Sequence, residues 1–360
     1  PAFGKNDVQY KTFRLKNPDL HHVFEARETV KSRIAETRAE RFLAAAHEDN
    51  SFAVPLRYYA AHTGRFGGVD KINLQNLPRK SILRRALIAP KDHYVYVADL
   101  SNIESRMLAW FAGQEDLLYQ YAQGEDIYCN FASQIYNRPI NKDDDPTERF
   151  VGKTAILGLG YGMGANKFKA TLASGAAGPV ISISQDEAYE IVNNYRSTYS
   201  EIDQLWTRCN HFLSEMATIA TRSSTLQNLY DTYKCVGVHS ESISLPNGLR
   251  LKYPNLVRCQ TGSFRFDGRR SYENTYGGKL TENIIQALSR IVVTDAMLRI
   301  AKIPDLDIVL TVHDEIVCVG PKTDAESRFN AIIDEMCVAP SWAPDLPLAA
   351  EGGFDLSYSK

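Results

Sequence analysis

Two short acidic segments, more than two hundred residues apart, constrain this 360-residue chain more than any other feature. In the first, Asp99 follows an apolar run that alternates in the manner of a strand; in the second, Asp314 follows His313 between two almost wholly apolar runs. Each Asp has an ordinary explanation, because Asp caps helices and its side chain bonds its own backbone in turns. If the two acids converge, however, their repulsion predicts cations between them. Mg²⁺ suits such a place because it prefers carboxylate oxygens and water.

A third segment, residues 148–166, is predicted to be helical and lies between the two acids. Arg149, Lys153, Leu157 and Tyr161 recur every four residues, which keeps them near one face of an α-helix. Two cations on one face suit a triphosphate, and an aromatic side chain further along suits a base. A surface helix with ordinary basic residues has the same spacing, so the pattern alone leaves both interpretations open.

Size and composition indicate an ordinary globular protein with more than one lobe. A chain of 360 residues exceeds the size at which a single core stops growing, and 44% of its residues are apolar and 23% charged. No run approaches the ~20 apolar residues of a membrane span, and the scattered six cysteines fit a reducing cytosol. The net charge of −2 does not indicate nucleic acid. The basic cluster of Arg79, Lys80, Arg84 and Arg85 is interpreted as a solvated surface.

The patterns along the chain predict an α+β fold. Helices are predicted at residues 22–48, 101–112, 115–137, 147–164, 185–218, 281–302 and 324–338, hairpins at 223–276, and strands at 93–98, 307–312 and 315–319. A helical and hairpin insertion therefore interrupts two β-rich pieces, each of which carries an acid. One sheet assembled from both pieces would bring Asp99 and Asp314 together.

Taken in order, the three segments resemble motifs A, B and C of the family A DNA polymerases, the DNA polymerase I-like enzymes, and most resemble those of bacteriophages. Motif B of that family, R-x-x-x-K-x-x-x-F-x-x-x-Y-G, is matched by Arg149, Lys153, Tyr161 and Gly162. The resemblance runs from about residue 58 to the C-terminus. It implies a right-hand fold, with an antiparallel palm sheet and a mostly helical fingers insertion.

The resemblance also implies a division of the chain. Residues 1–57 are expected to form an N-terminal helical segment, a remnant of thumb or palm, and residues 58–115 the first part of the palm with motif A. Residues 116–275 are expected to form the fingers with motif B and the hairpins, and residues 276–360 the second part of the palm with motif C. The thumb and exonuclease of a full member are expected to be absent.

The resemblance assigns roles to individual residues. Asp99, Asp314 and the backbone carbonyl of Leu100 would hold two Mg²⁺ ions, for which Mn²⁺ would substitute. The residues that it places at the incoming dNTP are Asn102, Glu104, Tyr128, Arg149, Lys153, Leu157 and Tyr161. Those that it places at the primer and template are Arg65, Asn73, Gln75, Asn76, Gln286 and His313. Glu104 occupies the position that excludes a ribose 2′-hydroxyl.

The chain departs from the family pattern at several positions. Leu157 stands where an aromatic residue packs on the incoming nucleotide, Tyr128 where many members have a histidine, and Glu282 where an asparagine is expected. The hairpin region is also longer than usual. Since none of these positions is a metal ligand, the departures affect the expected rate and nucleotide preference and leave the reaction class unchanged.

The implied function is template-directed DNA synthesis in the cytoplasm of a bacterial host, with primer–template DNA and dNTPs as partners and no membrane. A separate thumb and exonuclease portion, or a processivity factor, is a further expected partner. A single-subunit RNA polymerase is one alternative, against which Glu104 and Glu315 argue. A catalytically inactive DNA-binding fragment is the other, against which the intact acid pair argues.

Overall fold

The computed structural model of the chain describes residues 8–31, 34–51, 53–78, 81–175, 178–221, 235–260, 262–269 and 271–358. Its helices are α1 (Val8–Lys16), α2 (His21–Lys31), α3 (Ile34–Ala45), α4 (Ile82–Arg85), α5 (Ile103–Ala112), α6 (Glu115–Ala122), α7 (Ile127–Tyr136), α8 (Pro146–Leu159), α9 (Ala165–Ser174), α10 (Gln185–Thr198), α11 (Ser200–Thr221), α12 (Gly277–Ile300) and α13 (Ala325–Met336). Its strands are β1 (Leu56–Arg57), β2 (Gly67–Gly68), β3 (His93–Leu100), β4 (Gly237–His239), β5 (Ser242–Ser244), β6 (Arg250–Lys252), β7 (Val257–Arg258), β8 (Phe264–Asp267), β9 (Tyr272–Thr275), β10 (Asp307–Val312), β11 (Glu315–Pro321) and β12 (Ala350–Asp355).

A four-stranded antiparallel sheet lies at the centre of the fold, with the strand order β10–β11–β3–β12. The inner strand β3 pairs with β11 on one side and with β12 on the other. Helices α5 to α12 and two three-stranded sheets, β4–β5–β6 and β7–β8–β9, separate β3 from its partners in the sequence. The predicted α+β class, and a single sheet built from two distant pieces of the chain, are therefore confirmed.

Side chains of β3 alternate between two hydrophobic cores, because successive residues of a strand point to opposite faces. Tyr96 and Ala98 belong to the large core, which also contains buried residues of α5, α12 and α13. Val95 and Val97 belong to a smaller core on the other face of the sheet. The same alternation puts Asp99 on the face of the smaller core, at the end of β3.

Most residues of helix α12 are buried, and two glycines at its start contact the helical insertion. A Cβ at Gly277 would overlap the carbonyl oxygen of Trp206 in α11, and a Cβ at Gly278 would lie 2.5 Å from the carbonyl oxygen of Tyr161. The backbone of α12 therefore approaches α11 and the turn after α8 more closely than any side chain permits. This contact fixes the turn at Tyr161 relative to the sheet.

Several predicted helices are divided in the structure. The predicted run 115–137 is the pair α6 and α7, and the run 185–218 is the pair α10 and α11, which meet at Tyr199. The run 147–164 ends with α8 at Leu159, because the glycines that follow form a turn in which Gly162 has a left-handed φ of 79°. These predictions were correct in element type and wrong in length.

Two other predictions extend into residues outside the described part of the chain. Within the predicted helix 22–48 the structure has α2 and α3, and residues 32 and 33 at their junction are outside the described residues. Residues 222–234 of the predicted hairpin region are also outside them. In the described part of that region, β4 to β9 confirm the hairpins.

The basic cluster was wrongly interpreted at Arg84. Its side chain is buried, with 5% exposure, and pairs with Glu315, whereas Arg85 is exposed. Arg79 and Lys80 lie outside the described residues. Strand β12 was missed altogether. In the parts of the chain that the structure describes, no helix is long and apolar enough to cross a membrane.

Candidate active site

The two acids of the sequence prediction meet where β3 and β11 run side by side. Asp99 is opposite Glu315 in the register of the two strands, and the backbone N–H of Leu100 donates to the carbonyl oxygen of Asp314 at 3.2 Å. Asp314 lies in the tight turn between β10 and β11, in which His313 has a left-handed φ of 56°. Both carboxylates line one cleft of about 600 Å³. The structure thus brings together two residues that are distant in sequence.

The electrostatic environment of Asp99 and Asp314 disfavours two ionised carboxylates without a bound cation. Burial, together with the negative charge of Asp99, raises the pKa of Asp314 to about 6. A cation would relieve this repulsion. The described residues include no group of three or more His, Cys, Asp or Glu side chains placed to hold a metal ion. The donors at hand, two carboxylates and a carbonyl, fit Mg²⁺, which keeps several waters and also takes substrate oxygens as ligands.

Glu104, in the first turn of α5, is held by two side chains from other elements. The Arg65 guanidinium forms an ion pair with its carboxylate, and the Tyr161 hydroxyl donates to it at 3.2 Å. Burial is the main cause that raises the pKa of Tyr161, so its hydroxyl keeps its proton and acts as a donor. The Glu104 carboxylate therefore has a defined position at the wall of the cleft.

The predicted cationic face of α8 opens onto the same cleft. Arg149 and Lys153 line it, and their charged ends lie 5.2 and 5.9 Å from the centre of the Tyr128 ring. The Tyr128 hydroxyl donates to the side-chain oxygen of Asn102 at 2.6 Å. The ring of Tyr128 thus lies between the cations of α8 and the start of α5.

Arg149 has an acidic partner that the sequence analysis missed. Its Nε donates to Asp126 at 2.7 Å, while Asp126 also accepts the N–H groups of Tyr128 and Cys129 at the start of α7. Partial burial raises the pKa of Asp126, but the hydrogen bond from Arg149 and the two backbone N–H groups outweigh it and hold that pKa below its usual range. An N-cap signal was visible in the sequence, whereas the pairing with Arg149 was not.

Leu157, which replaces the family's aromatic residue, is 42% exposed and lines the cleft. The other α8 residues that line the cleft, Arg149 and Lys153, are not aromatic, so α8 presents an aliphatic side chain to the cleft at this position.

Of the residues that the resemblance places at primer and template, Arg65 and His313 line the cleft. Gln75 donates to the carbonyl oxygen of Thr311 at 3.3 Å, beside the same edge. Gln286, on α12, accepts from the Thr63 hydroxyl at 3.5 Å.

Like Gln75 and Gln286, Asn73 and Asn76 are not among the described residues that line the cleft. Asn73 has a left-handed φ of 34°, and the backbone carbonyl of Asn76 accepts from Arg38 at 3.0 Å. Their assignment to primer and template stays a prediction.

Glu351 is a further acid that the sequence analysis missed. It lies in β12 opposite Asp99 and lines the cleft. No sequence signal marked it, because the surrounding residues 350–355 contain two glycines and lack the alternation of a strand.

The antiparallel sheet, the helical insertion and the acids at the end of β3 define the fold of a right-hand polymerase. The chain belongs to DNA polymerase family A, whose sequence profile matches residues 10–243. A DNA polymerase of Bacillus phage SP02 is 28% identical, in an alignment that covers 100% of this chain and 60% of that protein. The thermostable DNA polymerase I of Thermus thermophilus is 26% identical, over 98% of this chain and 39% of that protein.

A solved structure has the same fold. The POL domain of Pol1 from M. smegmatis, in complex with DNA primer-template and dNTP, matches 99% of this chain with a TM-score of 0.72 and 20% identity. The match covers 56% of that domain's chain. This chain thus spans about 60% or less of the length of each of these relatives.

Proposed function

We propose that this chain catalyses template-directed DNA synthesis, in which a primer 3′-hydroxyl attacks the α-phosphorus of a dNTP and pyrophosphate leaves. Family membership supports this reaction class. The observation that carries the proposal is the convergence of Asp99 and Asp314 in one cleft with Arg149 and Lys153. Nucleotidyl transfer depends mainly on positioning the reactants and on stabilising charge. Two carboxylates and two cationic side chains are the types of group that these tasks require.

The acids and the cations have complementary tasks. Mg²⁺ ions, when bound by Asp99, Asp314 and the Leu100 carbonyl, supply activation of the primer hydroxyl and stabilisation of the leaving oxygens, and Mn²⁺ is expected to substitute. Arg149 and Lys153 neutralise the β- and γ-phosphates of the dNTP. Because Arg149 is already bonded to Asp126, it reaches the phosphates with a fixed guanidinium plane.

Discrimination between dNTP and rNTP is assigned to Glu104. Its carboxylate is held by Arg65 and Tyr161, so it has little freedom to move away from a ribose 2′-hydroxyl. Tyr161, at the end of the cationic face, supports the template-base position. This arrangement favours a DNA polymerase over the single-subunit RNA polymerase that the sequence analysis considered.

The proposed reaction implies particular binding partners. Primer–template DNA is proposed to lie along Arg65, Gln75, Gln286 and His313, with dNTP in the cleft. A thumb portion or a processivity factor is a proposed partner, since phosphate contacts supply much of the affinity for duplex. The division into palm and fingers at residues 115 and 275 stays a prediction, as does the bacterial cytoplasm as location.

Primer extension tests the proposal directly. A labelled primer on a defined template is extended with dNTPs, with and without Mg²⁺, by the unsubstituted chain, by Asp314→Ala and by the control Glu326→Ala, an exposed acid of α13. We expect Asp314→Ala to retain less than ~1% of the activity, because a metal ligand is lost, and the control to retain it. Equal extension by the two variants would contradict the proposal. A preference for rNTPs would instead support the RNA polymerase alternative.

A further inference from the structure

A buried cluster of side chains adjoins the candidate metal site. It lies on the face of the central sheet that carries the smaller core. Arg84, Glu315 and Tyr358 form the cluster, and these residues are 5%, 7% and 2% exposed. The Nη2 of Arg84 donates to both carboxylate oxygens of Glu315, at 3.1 and 3.2 Å, and the Tyr358 hydroxyl donates to the same carboxylate. The Arg84 guanidinium also lies 3.8 Å from the centre of the Tyr358 ring. We call these three side chains the Glu315 cluster.

The Glu315 cluster joins three distant parts of the chain. Arg84 belongs to α4, Glu315 begins β11, and Tyr358 lies close to the C-terminus. The tail that carries Tyr358 is itself fixed, because its backbone N–H donates to the carbonyl oxygen of Leu87 at 2.8 Å and the N–H of Ala89 donates to that of Leu356 at 2.9 Å. A buried carboxylate requires such partners, since an unpaired buried charge is strongly unfavourable.

Glu315 is also bound into the active-site turn. It directly follows Asp314 and stands opposite Asp99 in the register of β3 and β11. Its carbonyl oxygen accepts from the Thr311 hydroxyl at 3.1 Å, across the hairpin. A shift of the Glu315 side chain would therefore also move Asp314, whose carboxylate lines the cleft.

Tyr358 acts in the cluster as a hydrogen-bond donor. Burial first, and then the negative charge of Glu315, raises the pKa of the Tyr358 hydroxyl, so the proton stays on the phenol. Arg84 and Tyr358 thus both donate to one carboxylate, and each restricts its position.

We propose that Arg84 and Tyr358 are positioning residues for the divalent-metal site: by fixing Glu315, they fix the orientation of Asp314 toward the metal. The inference rests on the proposed function for the identity of the ligands. It goes beyond that function because it gives the C-terminal tail a role in an acid site formed by other segments. Neither residue touches the cleft, since neither is among the described residues that line it.

The test is direct Mn²⁺ binding, followed by electron paramagnetic resonance without DNA or dNTP, in Tyr358→Phe. The matched control is Tyr96→Phe, which removes the hydroxyl of another buried tyrosine, in β3, that donates to the carbonyl oxygen of Pro321 at 2.6 Å. We expect Tyr358→Phe to weaken Mn²⁺ binding by about 10-fold, as residues that orient metal ligands do, and the control to leave it unchanged. In primer extension, kcat should fall with the KM for dNTP unchanged.

Two further variants make the result decisive. Arg84→Lys keeps the charge but loses the guanidinium plane that lies against the Tyr358 ring, so an intermediate loss of Mn²⁺ affinity is expected. Since both donors act through Glu315, the effects of Arg84→Lys and Tyr358→Phe should not add in the double variant. If Tyr358→Phe does not fold, Arg84→Lys carries the same comparison.

Equal Mn²⁺ affinity in Tyr358→Phe, Arg84→Lys and Tyr96→Phe would overturn the inference and reduce the cluster to a structural contact. Because metal binding is measured without substrate, that result is independent of the proposed reaction. Failure of the unsubstituted chain to extend primers would contradict the proposed function instead.

Discussion

Replacing Asp314 by asparagine is expected to stabilise the metal-free protein while it abolishes DNA synthesis. Asparagine has nearly the same size and shape, so the substitution removes a charge and preserves the packing. Burial and the charge of Asp99 raise the pKa of Asp314 to about 6, which means that its ionised form is disfavoured in the folded protein. Removing that charge removes an unfavourable contribution to folding.

The magnitude follows from the size of this pKa shift. Each pKa unit corresponds to about 1.4 kcal/mol, and a shift of about two units gives roughly 3 kcal/mol at neutral pH. Water at the cleft screens part of this, so about 1–2 kcal/mol is the expected gain for Asp314→Asn. The carboxyl group of Asp314 binds a proton more tightly in the folded protein than in the unfolded chain. Its unfavourable contribution to the free energy of folding therefore becomes smaller as the pH falls from about 6 to about 4. The difference in stability between the two proteins should therefore shrink over that range.

Urea unfolding in EDTA, at pH 7 and pH 5, measures this difference. Addition of Mg²⁺ should stabilise the unsubstituted protein and have a much smaller effect on Asp314→Asn. Glu326→Gln, which neutralises an exposed acid of α13, is the control for a general charge effect. If Asp314→Asn is less stable than the unsubstituted protein in EDTA at pH 7, the electrostatic reasoning is refuted.

Three other substitutions test the walls of the cleft. Glu104→Ala should raise the ratio of rNTP to dNTP incorporation by ~10-fold or more, since the fixed carboxylate is lost; an unchanged ratio in competition assays would refute this role. Leu157→Phe should speed single-turnover incorporation and change the tolerance for dideoxynucleotides, because it supplies an aromatic face to the nucleotide; identical kinetics would show that the position is passive. Tyr128→Phe should raise the KM for dNTP by roughly 5-fold, the equivalent of one hydrogen bond, through loss of the contact to Asn102; an unaltered KM in steady-state assays would show that this bond does not shape the site.

The sequence predicted the parts of the structure that depend on local patterns. An alternating run identified β3, and continuous apolar runs identified β10 and β11. The order of the segments along the chain led to the prediction that Asp99 and Asp314 converge. Where predicted helices are divided, the local signals were partly present: Gly124 and the N-cap Asp126 lie between α6 and α7. The break between α10 and α11 coincides with the packing of Tyr199 against Phe131 and Tyr195.

Features that depend on distant contacts were not predictable in this way. Strand β12 contains two glycines and forms because β3 provides hydrogen-bond partners along its edge. Arg84 looked like part of a solvated cluster, because the carboxylate that pairs with it is Glu315, far along the chain. The pairing of Arg149 with Asp126 likewise requires α7 and α8 to pack side by side. A pattern within one segment does not specify which other segment supplies the oppositely charged partners of its side chains.

The position of β3 within its sheet has a consequence for biosynthesis. Both neighbours of this strand follow it in the chain by more than two hundred residues, so its two edges lack their partners while the insertion emerges from the ribosome. Exposed strand edges of apolar sequence are prone to pair with other chains, and contacts of such long sequence separation form slowly. The nascent chain should therefore benefit from a holding chaperone until β11 and β12 have emerged from the ribosome.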